Sequence, residues 1–324
     1  MKKMALVFCF LGIALATVRS GVGLGITGAA RNRLNAMDKS AARGPDYETK
    51  INSAGWADSP FISRDGQRLY FMYSRWNYLT MQIEGRDRAG LQKNDINPYD
   101  ESDIYVATKR TNGTWGVPVR LGFNTEKGDS SGMELDDGDV FVWIKPIDGN
   151  GMPDIVVSAR SALGAWSAPV SISSNINTNF IEDNPHMDPT GTAIWFTSDR
   201  PGGAGGKDIW FSQKTSGVWS APVNLGAPIN TAADEDQFWV QPGAPTPQVY
   251  FNRDSQIYRT TWTGVSFEPP LLVDLGLSFI GEASITDDGQ SLYFASGGTA
   301  PARIQIMTAT SLGGGLWDTP VPVD

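Results

Sequence analysis

With 324 residues, 40% hydrophobic and 19% charged, the chain has ordinary globular composition, which excludes wholesale disorder. A formal net charge of -9 argues against nucleic acid and against anionic lipid headgroups, both of which would be repelled. Gly 36 and Pro 20 favour many short strands joined by tight turns.

The first residues read as a targeting segment. Lys2 and Lys3 precede an apolar run from Met4 to Val18, shorter than the roughly twenty residues a membrane span needs. Ala14 and Ala16 flank Leu15 as a small-x-small cleavage site, so a signal peptide is expected over 1–16, with an uncleaved anchor as the alternative. Residues 17–50 are expected to form a linker. Cys9, the only cysteine, lies inside the leader, so the mature chain is expected to hold no thiol, disulfide or cysteine metal site. A periplasmic or secreted location follows, with no membrane span in the mature chain.

From residue 51 to 324 the chain repeats about every fifty residues. An aromatic residue followed three positions later by proline recurs at Trp115/Pro118, Trp166/Pro169, Trp219/Pro222, Phe267/Pro270 and Trp317/Pro320. Before each lies a β-prone segment opening at Asp103, Asp154, Asp208, Gln256 or Arg303. Further upstream a turn leads into another strand, as in Asp65-Gly66 before Leu69 to Phe71 and Asp288-Gly289 before Leu292 to Phe294. Gly191 and Gly243 open similar strands, and Asp137-Gly138 completes five. Glycine supplies the positive φ that primed hairpin turns require, and Tyr, Phe, Ile and Val suit a pleated, half-buried surface. The repeated Trp can fill the gap between neighbouring sheets, and the Pro suits a strand edge. Each unit is one four-stranded antiparallel blade that cannot bury both faces alone, so radial stacking is required. The expected fold is an all-β five-bladed β-propeller, with blades at about 51–122, 123–174, 175–226, 227–274 and 275–324.

The stretches Phe196 to Trp210, Trp219 to Gly226 and Asp58 to Phe71 resemble the WD-like propeller repeat of the TolB type. The resemblance covers roughly residues 50 to 324 and implies a binding platform of envelope or secreted proteins. TolB itself has more blades and an extra N-terminal domain, neither of which this sequence shows, so its partners are not carried over.

Function is sought where the repeats differ. The largest departure, Trp76 to Glu101, is an insertion between the second and third strands of the first blade, and its aromatic and basic residues Trp76, Tyr78 and Arg86 are binding candidates. A second is the acidic stretch ahead of each first strand: Asp58, Asp129, Glu182-Asp183, Asp234-Glu235-Asp236 and Glu282. These carboxylates could ring one channel entrance as a cation site, do acid/base work, or satisfy backbone N–H groups and Arg at blade junctions. Asp236 is a binding candidate. His186, the only histidine, is another, standing where the other blades carry Phe61, Met133, Trp239 and Ile285. The glycine-rich run Gly202 to Gly206 sits between strands and reads as a flexible turn rather than a phosphate cradle. Asn-Thr pairs at Asn124, Asn177 and Asn230 read as blade connections.

Two functions are consistent with these residues. One is a non-catalytic binding or scaffold module for a protein or polysaccharide partner, monomeric, without nucleic acid. No cofactor is expected, a divalent cation such as calcium being the alternative. The other is a glycoside hydrolase resembling the five-bladed arabinanase and invertase folds, with Asp58, Asp183 and Glu282 as the catalytic carboxylates. Two carboxyl groups about 5 to 10 Å apart in an open pocket would favour the second.

Overall fold

A computed structural model describes residues 50–53, 55–74, 102–125, 128–135, 138–145, 152–241, 246–297 and 304–324. Its strands form five antiparallel sheets. Blade 1 contains β1 (Trp56–Ile62), β2 (Arg68–Ser74), β3 (Asp103–Thr108) and β4 (Val119–Arg120). Blade 2 contains β5 (Ser130–Leu135), β6 (Val140–Lys145), β7 (Asp154–Ala159) and β8 (Val170–Ser171). Blade 3 contains β9 (Glu182–Met187), β10 (Ala193–Ser198), β11 (Asp208–Thr215) and β13 (Val223–Asn224), with β12 (Val218–Trp219) in the hairpin before β13. Blade 4 contains β14 (Glu235–Gln241), β15 (Gln248–Arg253), β16 (Gln256–Thr261) and β17 (Leu271–Leu272). Blade 5 contains β18 (Ile280–Ile285), β19 (Ser291–Ser296), β20 (Gln305–Gly313) and β22 (Val321–Pro322), with β21 (Leu316–Trp317) in its last hairpin.

Each first strand packs on the blade before it: β5 on β1 and β2, β9 on β5 and β6, β14 on β9 and β10, β18 on β14 and β15. The ring closes because β1 packs on β18 and β19. Burial follows from this geometry. The innermost strands β1, β9 and β18 are buried at every position, whereas the outermost β8, β17 and β22 are exposed throughout. The repeated proline stands immediately before each two-residue outer strand, where a missing N–H costs no ladder bond. The repeated aromatic pairs across the hairpin with the end of the third strand, as Lys109 with Trp115 and Arg160 with Trp166. Trp115 also meets Tyr293 of blade 5 edge-on at 6.1 Å, which fills one gap between sheets.

The recurring asparagines fasten one blade to the next. Asn52, Asn124, Asn177 and Asn230 each bracket one third-strand residue, accepting the N–H and donating to the C=O of Ile306, Ile104, Ile155 and Ile209 at 2.7–3.0 Å. The following threonine turns the other way. Thr178 and Thr231 bond through backbone N–H and hydroxyl to Glu182 and Glu235 at the start of the next inner strand, and Thr125 does the same for Asp129. Asn52 also reaches Val323 O. Blade 5 takes its outer strand β22 from its own repeat, so no strand is shared across the seam; the Asn52 side chain and the bond from Ala57 N–H to Ile304 O fasten it to blade 1. The junction into blade 5 departs from the pattern, since Ile280 replaces the acid and Gln256 bonds Ser278 O.

The inner hairpins close differently from the two-residue primed turns expected. Gly66, Gly191 and Gly289 do have positive φ. However, Ser63 pairs with Arg68 while Gly66 N–H bonds Ser63 O, making a four-residue loop in which Arg64 and Asp65 keep negative φ. Asp65 makes this longer loop favourable by accepting from Ser63 Oγ and Gln67 N–H. The run Gly202 to Gly206 is a tightly packed turn rather than a flexible one, because a Cβ at Gly205 would collide with the Ala233 carbonyl.

Removing a buried clamp leaves a backbone N–H and C=O unsatisfied. Asn230→Ala is expected to lower the unfolding free energy by about 3 kcal/mol in urea titration, against less than about 1 kcal/mol for Asn112→Ala at an exposed hairpin tip.

Candidate functional site

Each inner strand carries one β-bulge at the same register, and there a residue other than glycine lies in the left-handed region: Ser59, Ser131, Asn184, Gln237 and Glu282, at φ 42° to 59°. Ser59, Ser131, Asn184 and Gln237 line one small cavity at the neck of the central channel, and Glu282 is bonded to Ser59 beside them. In three blades a carboxylate stands one residue earlier and accepts the bulged N–H: Asp58 from Ser59, Asp183 from Asn184 and Asp236 from Gln237, at 2.7–2.9 Å. The left-handed conformation costs free energy for such residues. The charge-assisted bond across one peptide offsets that cost.

The acidic positions read from sequence as one ring thus fall into three layers. Asp129, Glu182 and Glu235 belong to the blade connections, where Thr side chains hold them and Lys145, Arg200 and Arg253 pair with them. Burial pushes the pKa of all three up, against the opposing hydrogen bonds. Asp58, Asp183 and Asp236 hold the bulges. Asp236 also accepts from Asn184 Nδ2 and Thr197 Oγ1, and Lys207 Nζ lies 3.5 Å from Asp236 and 4.0 Å from Asp183. Glu282 forms the third layer, at the bulge itself, where it accepts Ser59 N–H and Ser59 Oγ–H and shares a hydrogen bond with Asp58. Burial first, then the Asp58 charge, push the Glu282 pKa well up, so Glu282 holds the proton and donates it to Asp58.

Two ends of the channel therefore differ. The carboxylates lie toward the end where β1 begins and β2 finishes, and Asp58, Asp183 and Glu282 are each at most 1% exposed. The segment with Trp76, Tyr78 and Arg86 falls between Ser74 and Asp103, outside the described residues. At the other end, beside the inner hairpins, a pocket of about 530 Å³ opens. Its walls include Phe61, Met133, Met187, Trp195, Trp239 and Val240, and its rim carries Arg64, Asp65, Arg68, Glu134, Asp188 and Asp287.

His186 lines this pocket, and its blade equivalents by register are Phe61, Met133, Trp239 and Ser284; the fifth is Ser284, opposite Tyr293, rather than the expected Ile285, which pairs one position further along with Leu292. Its Nε2 accepts Val240 N–H at 3.2 Å, and its ring packs 4.6 Å from that of Trp239. Burial pushes its pKa down to about 3, so the ring is neutral at ordinary pH. Of the pocket walls, sequence reasoning singled out Phe61, Met133 and Trp239, and those only as apolar equivalents of His186. Their convergence on one cavity follows from the ring geometry. Among the described residues, no group of three or more His, Cys, Asp or Glu side chains is arranged to hold a metal, and no helix is long and apolar enough to cross a membrane.

Fold and site define the class: a five-bladed β-propeller with a buried carboxylate layer at one end of its axis and an open apolar pocket at the other. No family model and no curated protein matches the sequence. Similar solved structures include TolB from Acinetobacter baumannii, at 13% identity and TM-score 0.45 over 80% of this chain. The chain spans 54% of that TolB chain. They also include an α-L-arabinofuranosidase from Lactobacillus brevis, at 12% identity and TM-score 0.52, covering 85% of this chain and 98% of that one. The GH43 β-xylosidase/α-arabinofuranosidase CoXyl43 from a compost microbial metagenome matches at 12% identity and TM-score 0.53, covering 84% and 97%. These likenesses concern the fold.

Two pH effects of opposite sign follow. His186 has a folded-state pKa below its ordinary value, so its contribution to stability is full above about pH 6.5 and lost as pH falls. The parent is expected to lose about 2 kcal/mol relative to His186→Gln between about pH 8 and about pH 5, by urea unfolding at each pH. Glu282 has a raised folded-state pKa, so its contribution is full at low pH and lost as pH rises through the raised value. Glu282→Gln, which keeps a neutral donor to Asp58, is expected to become progressively more stable relative to the parent as pH is raised. A gap between the two that does not change with pH would show Glu282 ionised in the fold.

Proposed function

We propose that this chain is an exported, non-catalytic binding module whose ligand site is the pocket beside the inner hairpins and whose partner is a protein. The observation that carries this reading is the contrast between the two channel ends. The aromatic and aliphatic pocket is open and of a size suited to a ligand. The carboxylates that hydrolysis would need are buried and engaged with backbone amides, Lys207 and one another.

A glycosidase needs two carboxyl groups standing apart across the scissile bond, one raised and one ionised. Glu282 and Asp58 meet the electrostatic half of that requirement but share a hydrogen bond, which leaves no room for a sugar between them. Asp183, beside Lys207, is turned to its own bulge. Asp236 serves three donors in the same way, which supports a structural role for it. His186, neutral and bonded to Val240, contributes an apolar wall rather than a proton.

A protein partner is favoured over a polysaccharide by what surrounds the pocket. Strands alternate in direction within each blade, so the hairpins leading to the outer strands lie on the same face as the pocket. All five present exposed aliphatic side chains: Val117, Leu163, Val218, Val265, and Leu312 with Leu316. Large apolar groups around an apolar pocket suit a protein surface better than a hydroxyl-rich glycan. Export is inferred from residues 1–16 alone, and the insertion bearing Trp76, Tyr78 and Arg86 remains a second contact region in this proposal.

Leu135→Trp, which places a bulky ring in the pocket mouth, should abolish peptide binding while leaving the melting temperature within about 2 °C of the parent. Binding would be read by titration against a peptide array, with arabino- and xylo-oligosaccharide hydrolysis assayed in parallel. Hydrolysis lost in Asp58→Asn, Asp183→Asn or Glu282→Gln would overturn the proposal and restore the enzyme.

A further inference from the structure

Resting on the pocket as the ligand site, we infer that it receives a lysine or arginine side chain from an extended peptide segment, its stem against the apolar walls and its charge at the rim. Three independent observations carry this inference.

The first is charge at the rim. Two guanidinium groups face four carboxylates there. Arg68 is bound through two bonds to Glu134 at 2.8 and 2.9 Å, and Arg64 is bound to Asp287 at 2.9 Å. Asp65 and Asp188 are the surplus. Arg68 also lies 3.4 Å from Asp65, but its charge is already matched by the closer Glu134. Both surplus carboxylates are held ionised, because bonds from the turns outweigh their partial burial: Ser63 Oγ and Gln67 N–H for Asp65, Thr190, Thr192 and Ala193 for Asp188. Neither turn can move its carboxylate away without losing those bonds.

The second is the pocket wall. Lys and Arg carry three or four methylenes that pack on apolar surface while the charged head stays at a polar edge. Phe61, Met133, Met187 and Val240 supply such surface below the rim. The indole of Trp239 and the ring of Phe61, 5.3 Å apart, add aromatic faces that attract a cation.

The third points to a peptide rather than a free amine. Trp239 is 5% exposed, it lines the pocket, and its Nε1–H has no hydrogen-bond partner among the described residues. A buried donor left alone is costly; the atom is covered in this fold, so peptide entry requires the indole to turn toward the pocket, where a peptide carbonyl satisfies it.

The test uses the full chain and capped nine-residue peptides with Leu and Val flanking a central Lys, Arg, norleucine or Glu, titrated by tryptophan fluorescence at two salt concentrations. The Lys and Arg peptides are expected to bind at least about tenfold more tightly than the norleucine peptide, with the preference shrinking as salt rises. The Asp65→Asn, Asp188→Asn double variant should bring the Lys peptide to the norleucine affinity. Because that variant disturbs two turns, the salt dependence of the unsubstituted chain stands as a separate readout. Equal affinity for norleucine and Lys peptides, blocked by Leu135→Trp, would sink the cation preference while leaving the pocket as a ligand site. Tighter binding of the Glu peptide would also overturn the inference. Binding of none of the four would remove both the preference and the site beneath it.

Discussion

Five strands converging on one axis cannot all remain regular. Each innermost strand has one neighbour in its own sheet and one bare edge toward a narrow channel, where unpaired amides and carbonyls crowd together. The chain answers with a bulge at one register in every blade, which turns the strand and aims a side chain into the neck. The bulged residue takes a left-handed backbone, and a carboxylate one position earlier captures its amide in blades 1, 3 and 4. Proline follows the bulge at Pro60 and Pro185, tolerated because an inner edge needs no donor there.

Much of the remaining architecture depends on that arrangement. The bulge separates the channel into an end filled with carboxylates and an end walled by Phe61, Met133, His186 and Trp239. It also commits acids that could otherwise do chemistry. Asp236, with three donors, and Asp58, bonded to Ser59 N–H and Trp56 Nε1–H, are structural members of the neck. The same economy governs the rim, where Arg68 with Glu134 joins blades 1 and 2, and Arg64 with Asp287 joins blades 1 and 5. Fastening and recognition thus use neighbouring residues on one face of the molecule.

The five-bladed fold was legible because its repeating parts are local. An aromatic and a proline three residues apart mark the outer hairpin, and a positive-φ glycine marks most of the inner ones. Asn-Thr pairs mark the connections, although their bonds to peptide units about twenty residues away could not be read. The inner strands were much harder to read. Glu182 to Met187 runs Glu-Asp-Asn-Pro-His-Met, a sequence no strand propensity favours, yet every residue is buried. Tertiary stacking imposes that strand. The acids were found, but neighbours in sequence such as Glu182 and Asp183 point into different layers, because successive residues of a strand face opposite sides.

By itself the sequence determined what is periodic and local: an all-β chain, five units, the turn glycines, the outer-edge prolines and an acidic surface. Tertiary structure decided which residues meet. Strand pairing makes Ser284 rather than Ile285 the fifth equivalent of His186, and ring closure brings Glu282 against Asp58 across the seam and gathers Phe61, Met133, Met187 and Trp239 around one pocket. Those contacts span different blades, and their separation in sequence follows from ring closure, which no local pattern encodes. The physical reason is that a residue's neighbours in the ring are set by blade angle and bulge register together, and both exist only once five sheets have closed on one axis.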